Sequence, residues 1–95
     1  MLIRELIDIV DDAIANVKVA IVSSQQRVFE SPHTSWEFTQ RSLELENELD
    51  RLKKIKEYLL KFEPEEIAEK IFSEEELREL LRYLESMKEM RAHEF

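Results

Sequence analysis

Residues 2–29, LIRELIDIVDDAIANVKVAIVSSQQRVF, decide the fold. The stretch holds neither Pro nor Gly. Ile3, Ile7, Val10, Ile14, Val17, Ile21 and Val28 recur at alternating spacings of four and three, with Ser24 in the one polar place of the series. That is the seam of a helix lying along another helix. Leu6, Ala13 and Ala20 form a second row beside it, and Leu2 and Ile9 widen the stripe. A stripe this broad needs neighbours on more than one side. Residues 17–22 taken alone are β-branched enough for a strand. The heptad crosses them without a change of phase, so the segment reads as one helix, roughly 40 Å long at 1.5 Å per residue.

Working outward, residues 30–34 are a turn, because Pro32 cannot continue the helix and pushes Ser31 toward an extended conformation. Thr34 and Glu37 have capping-box spacing and open a second helix over 35–62. Its apolar face is Phe38, Leu45, Leu49, Leu52, Ile55, Leu59 and Phe62, opposite Glu46, Asp50, Lys53, Lys54 and Glu57. A short connection between long helices makes them antiparallel neighbours. Pro64 suits a first helical turn and opens a third helix over 64–72, with Ile67, Ile71 and Phe72 facing inward. Ser73 and Glu76 repeat the capping box, with Phe72 and Leu77 placed for a hydrophobic staple. A fourth helix then runs over 74–92 on Leu77, Leu80, Leu81, Leu84 and Met87. That face is roughly 100° out of phase with Ile67 and Ile71, which favours a break at Ser73 over one continuous helix from Pro64. The expected fold is all-α: one domain over 1–95, a long antiparallel helical hairpin with a C-terminal helical segment, in a small oligomeric bundle.

Composition narrows the function. The 95 residues contain no Gly, so there is no phosphate-cradling loop and no dinucleotide fingerprint. They contain no Cys, which removes disulfides, thiolate nucleophiles and Cys-based zinc sites. A net charge of −8 argues against nucleic acid and acidic lipid as partners. The longest purely apolar run, 19–22, is far short of a membrane span. Arg4, Glu5 and Asp8 follow Met1 too closely for a signal peptide, so a cytoplasmic protein is expected. The Glu-rich, Cys-free composition also suits a thermophile.

Several constellations admit both a functional and a plainer reading. Asp8, Asp11 and Asp12 on the first helix and Glu44, Glu46, Glu48 and Asp50 on the second could hold Mg²⁺ between helices, as in all-helical nucleotide pyrophosphohydrolases. In a chain with 22 acidic residues a solvated face is the plainer reading, and no metal or cofactor is expected. Arg27 and His33 have a spacing used by helical ribonucleases, but Pro32 lies between them; His33 and His93 cannot build a His-only zinc site. Residues 64–84 read loosely as a helix-turn-helix whose second helix opens on Glu74, Glu75 and Glu76, acids that would meet phosphates. Arg78, Arg82 and Arg91 are interleaved with Glu79, Glu85 and Glu89. The acidic surface also permits a nucleic-acid mimic.

Two stretches, 4–11 (RELIDIVD) and 63–72 (EPEEIAEKIF), resemble the opening and the start of the last helix of the all-helical chorismate mutases. The resemblance implies a substrate-binding role for Arg4 and offers an enzyme as an alternative. The family's second arginine of the first helix falls on Ile21 here, and its following lysine on Pro32.

The reading that gathers most of the sequence is a small, non-enzymatic, self-associating helical module that binds protein. Ile7, Val10, Ile14, Val17 and Ile21 are the expected homo-oligomer interface, because two hairpin helices cannot cover both apolar rows. Trp36 and Phe38, at the start of the second helix, are expected to pack across the hairpin mouth against Val28 and Phe29, or else to meet an unknown protein partner.

Overall fold

The computed structural model describes residues 1–30 and 35–90. Four helices follow in order: α1 (Ile3–Glu30), α2 (Ser35–Leu59), α3 (Ala68–Ile71) and α4 (Glu74–Glu89). Among the described residues there is no strand, only an isolated antiparallel bridge between Leu2 and Ile67. The fold is all-α. The readings placed on Pro32, His33, Thr34 and His93 lie outside the described residues.

α1 packs along α2, and α4 packs on α1. Two contacts locate the first pair. The Lys56 ammonium meets the Asp11 carboxylate at 2.7 Å, and the Arg27 guanidinium lies 5.6 Å from the centre of the Phe38 ring. The core joins Ile3, Leu6, Val10, Ala13, Val17 and Ala20 of α1 to Leu45, Leu52 and Leu59 of α2 and Leu77, Leu84 and Met87 of α4. Both apolar rows of α1 are therefore used, the second one against α4.

The chain between α2 and α4 departs from expectation. α2 stops at Leu59, not Phe62, in a tightening turn where Lys61 and Phe62 N–H reach only three residues back. Pro64 does not start a helix; the expected third helix over 64–72 shrinks to Ala68–Ile71. The Pro64–Glu66 turn caps α1 instead. Ile3 N–H donates to the Glu66 carbonyl at 2.9 Å and Arg4 N–H to the Pro64 carbonyl at 3.0 Å. Those are among the N–H groups a helix start leaves without partners, so the turn supplies from far along the chain what a local cap normally gives. The Met1 amino group pairs with Glu69 and closes the same end.

The break at Ser73 is a full capping box. The Ser73 hydroxyl accepts from Glu76 N–H at 3.1 Å, and Ser73 N–H donates to the Glu76 carboxylate at 3.0 Å. The hydrogen bond from the Ser73 backbone, then that from its side chain, lowers the Glu76 pKa from 4.5. A lowered folded value means stabilisation present above the unfolded pKa and lost as pH falls through the folded one. Urea midpoints should therefore fall below about pH 4.5 and fall less in Glu76→Gln, which keeps an acceptor but cannot titrate. An identical acid profile in Glu76→Gln would remove this contribution.

α4 ends level with the middle of α1. The Asn16 side-chain amide donates to the Met87 carbonyl at 2.8 Å and to the Met90 carbonyl at 2.7 Å. The second half of α1 runs on past that point with α2 as its neighbour. The molecule measures 51 × 21 × 15 Å, with a radius of gyration of 15.5 Å against about 12 Å for a compact chain of this length.

Candidate functional site

The five residues expected to form an oligomer interface do not share one surface. Val10 and Val17 are fully buried within the single chain, and Ile21 nearly so. Their apolar area is already spent on the chain's own helices. Ile7 and Ile14 are half-buried and pack against the same core. A stripe two rows wide does need two neighbours, and α4 is the second one over the first half of α1. The expectation of a second copy at this stripe is corrected to that extent.

Large apolar side chains are exposed elsewhere. Val19 is 64% and Val22 53% exposed on α1; Trp36 is 75% and Leu43 52% exposed on α2. All four lie on the half of the helix pair beyond the end of α4, while Met1, Tyr58, Leu60 and Ile67 are exposed at the opposite end. Trp36 is therefore not the core residue expected, whereas Phe38 is half-buried beneath Arg27. On the α1 side of that half, residues 13–26 contain one ionisable group, Lys18, whereas the facing stretch of α2 carries Glu37, Arg41, Glu44 and Glu46. Charge depletion around exposed apolar side chains distinguishes the centre of a protein interface from ordinary surface.

The other constellations are placed as follows. Asp8, Asp12, Glu44, Glu46 and Asp50 are exposed. Asp11 is engaged by Lys56, and Asp50 by Lys54 at 2.9 Å. Among the described residues, no three acidic or histidine side chains come together as a metal site would require. Arg4 is on the surface, paired with Glu65 at 3.2 Å, and Ile21, where the mutase resemblance puts a second arginine, belongs to the core. Arg78 is paired with Glu74 at 3.3 Å, one turn back on α4.

One polar cluster was not legible in the sequence. The Tyr83 hydroxyl of α4 donates to the Glu48 carboxylate of α2, and Arg51 lies 5.7 Å from the Tyr83 ring centre and 3.7 Å from Glu48. Burial, then the hydrogen bond and charge of Glu48, drive the Tyr83 pKa upward. The arrangement clamps α4 to α2. In a Tyr58→Phe background Tyr83 is the only tyrosine left, and phenolate absorbance should not develop as pH passes the ordinary 10.0. A titration at the ordinary value would mean the clamp is open.

Two shallow grooves flank α4. One, of about 560 Å³, is lined by Glu69, Glu74, Leu77, Arg78 and Leu81. The other, of about 340 Å³, is lined by Arg51, Lys54, Ile55, Tyr58, Leu59, Phe72 and Leu80. Neither gathers a nucleophile, a base and an oxyanion donor. Among the described residues, no helix is long and apolar enough to cross a membrane.

No protein family, no curated protein and no solved structure matches the chain.

Proposed function

We propose that this chain is a non-enzymatic helical interaction protein that associates with itself. In this reading α1 and α2 form an antiparallel hairpin, braced at one end by α3 and α4 and left uncovered at the other. The contacts of Asp11 with Lys56 and of Arg27 with Phe38 support the antiparallel arrangement, since rising numbers on α1 meet falling numbers on α2. The uncovered half is the working surface.

The observation that carries the reading is exposed area. The chain is elongated, 51 × 21 × 15 Å, and on the half that α4 does not reach part of its exposed surface is apolar. Four of its large exposed apolar side chains, Val19, Val22, Trp36 and Leu43, lie on the uncovered half. A homodimer, or a higher homo-oligomer, would bury part of that surface. Trp36, with Phe38 beside it, is offered to a further protein partner. A cytoplasmic setting belongs to the same reading and rests on composition.

The test is retention between two differently tagged copies expressed together. Capture of one tag should retain the other copy in comparable amount. Recovery of the captured copy alone, at every expression level, would overturn self-association.

A further inference from the structure

We propose that the half of the hairpin beyond α4, residues 17–30 of α1 with residues 35–48 of α2, is an arm that opens as a unit while the rest of the chain stays folded. The inference takes the antiparallel pairing of α1 and α2 from the reading above and does not need self-association.

The boundary is set by where α4 is tied. On α1 the tie is the Asn16 amide, which donates to the Met87 and Met90 carbonyls at 2.8 and 2.7 Å. On α2 it is Glu48, which accepts from the Tyr83 hydroxyl. Asp11 meets Lys56 and Arg27 meets Phe38, and on that scale Asn16 and Glu48 lie within about one turn of the same level. On one side of this level is a base in which α4 packs on the hairpin. On the other side is the arm.

The two parts are held differently. The base buries large apolar side chains from α1, α2 and α4, among them Leu6, Val10, Leu52, Leu59, Leu77 and Leu84. In the arm, the buried side chains among the described residues are Val17, Ala20, Ile21, Ser24, Ser42 and Leu45. Half of these are small, and both serines are polar. In the antiparallel pairing Ser24 comes level with Ser42, so the seam has least to hold it near the middle of the arm. The Ser24 hydroxyl is buried with no hydrogen-bond partner among the described residues. Opening lets water reach that oxygen, so the closed arm carries a desolvation penalty that the open one lacks.

Once apart, each arm helix must stand on its own backbone hydrogen bonds. Each is about 14 residues long, a length at which an isolated helix is marginal in water. Parting the seam therefore melts both together, which makes the arm a local unfolding unit. Opening bares Val17, Ile21 and Leu45 beside Val19, Val22 and Leu43, which are exposed already. The closed arm thus keeps a second set of apolar side chains covered.

Hydrogen exchange of the full chain, followed by mass spectrometry at low micromolar concentration, tests this. After correction for intrinsic rates, peptides within 18–27 and 36–47 should exchange as one set, more than about tenfold faster than peptides within 4–14 and 77–86. Ser24→Ala removes the unpaired oxygen and should slow the arm peptides of both helices roughly 5- to 30-fold. Asn16→Ala loosens α4 and should speed the 77–86 peptides at least about fivefold while leaving the arm rates unchanged, because the open arm still keeps that tie. A single rate class over the whole chain, or an Asn16→Ala that speeds arm and base alike, would overturn the arm. Exchange that slows steadily from the hairpin mouth toward the base would mean fraying and would overturn it too. If Ser24→Ala slows 18–27 and leaves 36–47 unmoved, the pairing of the two helices fails and this inference with it. Two rate classes in a chain that stays monomeric would support the arm and remove only self-association.

Discussion

Asn16→Asp is expected to lower stability by about 3 kcal/mol, enough to move Tm by more than about 10 °C in a domain this small. The Asn16 amide gives both of its protons to carbonyls at the C-terminal end of α4, on Met87 and on the C-cap residue Met90. Aspartate has the same shape and no protons to give. Each partly buried carbonyl left without a donor costs about 1–3 kcal/mol. The new carboxylate would also stand at the negative end of a helix, where a cation is favoured and an anion repelled, at a further ~0.3–1 kcal/mol. Asn16→Ala loses the donors without adding the charge and should fall between wild type and Asn16→Asp. Urea and thermal melts of the three proteins check the order. Equal midpoints for wild type and Asn16→Asp would mean that α4 is not held through its C-terminus.

Ser24→Ala is expected to act in the opposite direction and stabilise the protein by about 1–2 kcal/mol. Ser24 is fully buried between α1 and α2, and its hydroxyl has no hydrogen-bond partner among the described residues. Removing the oxygen removes an uncompensated desolvation cost and substitutes the best helix former. A larger apolar residue should not share the gain. Ser24 stands where the seam of α1 would take Val or Ile, and the facing surface includes the equally small Ser42. Ser24→Leu should therefore overpack the contact and cost roughly 1–3 kcal/mol. Chemical denaturation of both variants checks the pair of signs. A less stable Ser24→Ala would mean that the hydroxyl does have a partner.

The local signals in the sequence were reliable where they were short-range. The heptad over 2–29 gave one helix, and Ser73 with Glu76 marked the start of α4. Long-range features left no local trace. A chain without glycine has no low-cost route to a left-handed helix end, and the described residues contain no positive φ. The C-terminal end of α4 is closed from a distance instead, by the amide of Asn16, and the start of α1 is likewise closed from far along the chain, by carbonyls of Pro64 and Glu66. Pro64 carries the composition of a helix start and serves as the cap of another helix. The burial of Val10 and Val17 within the single chain was hidden for a related reason. The width of the α1 stripe showed that two neighbours were needed, but not that α4 would be the second. That assignment depends on the path of residues 60–73, where α2 ends early and α3 is only one turn long. With both rows covered by α2 and α4, the large apolar residues left exposed on α1 are Val19 and Val22.

The most direct measurement is the solution mass of the unmodified chain by light scattering, from low to high micromolar concentration at physiological salt. Self-association through the uncovered half of the hairpin predicts a mass that rises toward twice 11.4 kDa, or a higher multiple, as concentration increases. A constant mass of 11.4 kDa across the whole series would contradict it.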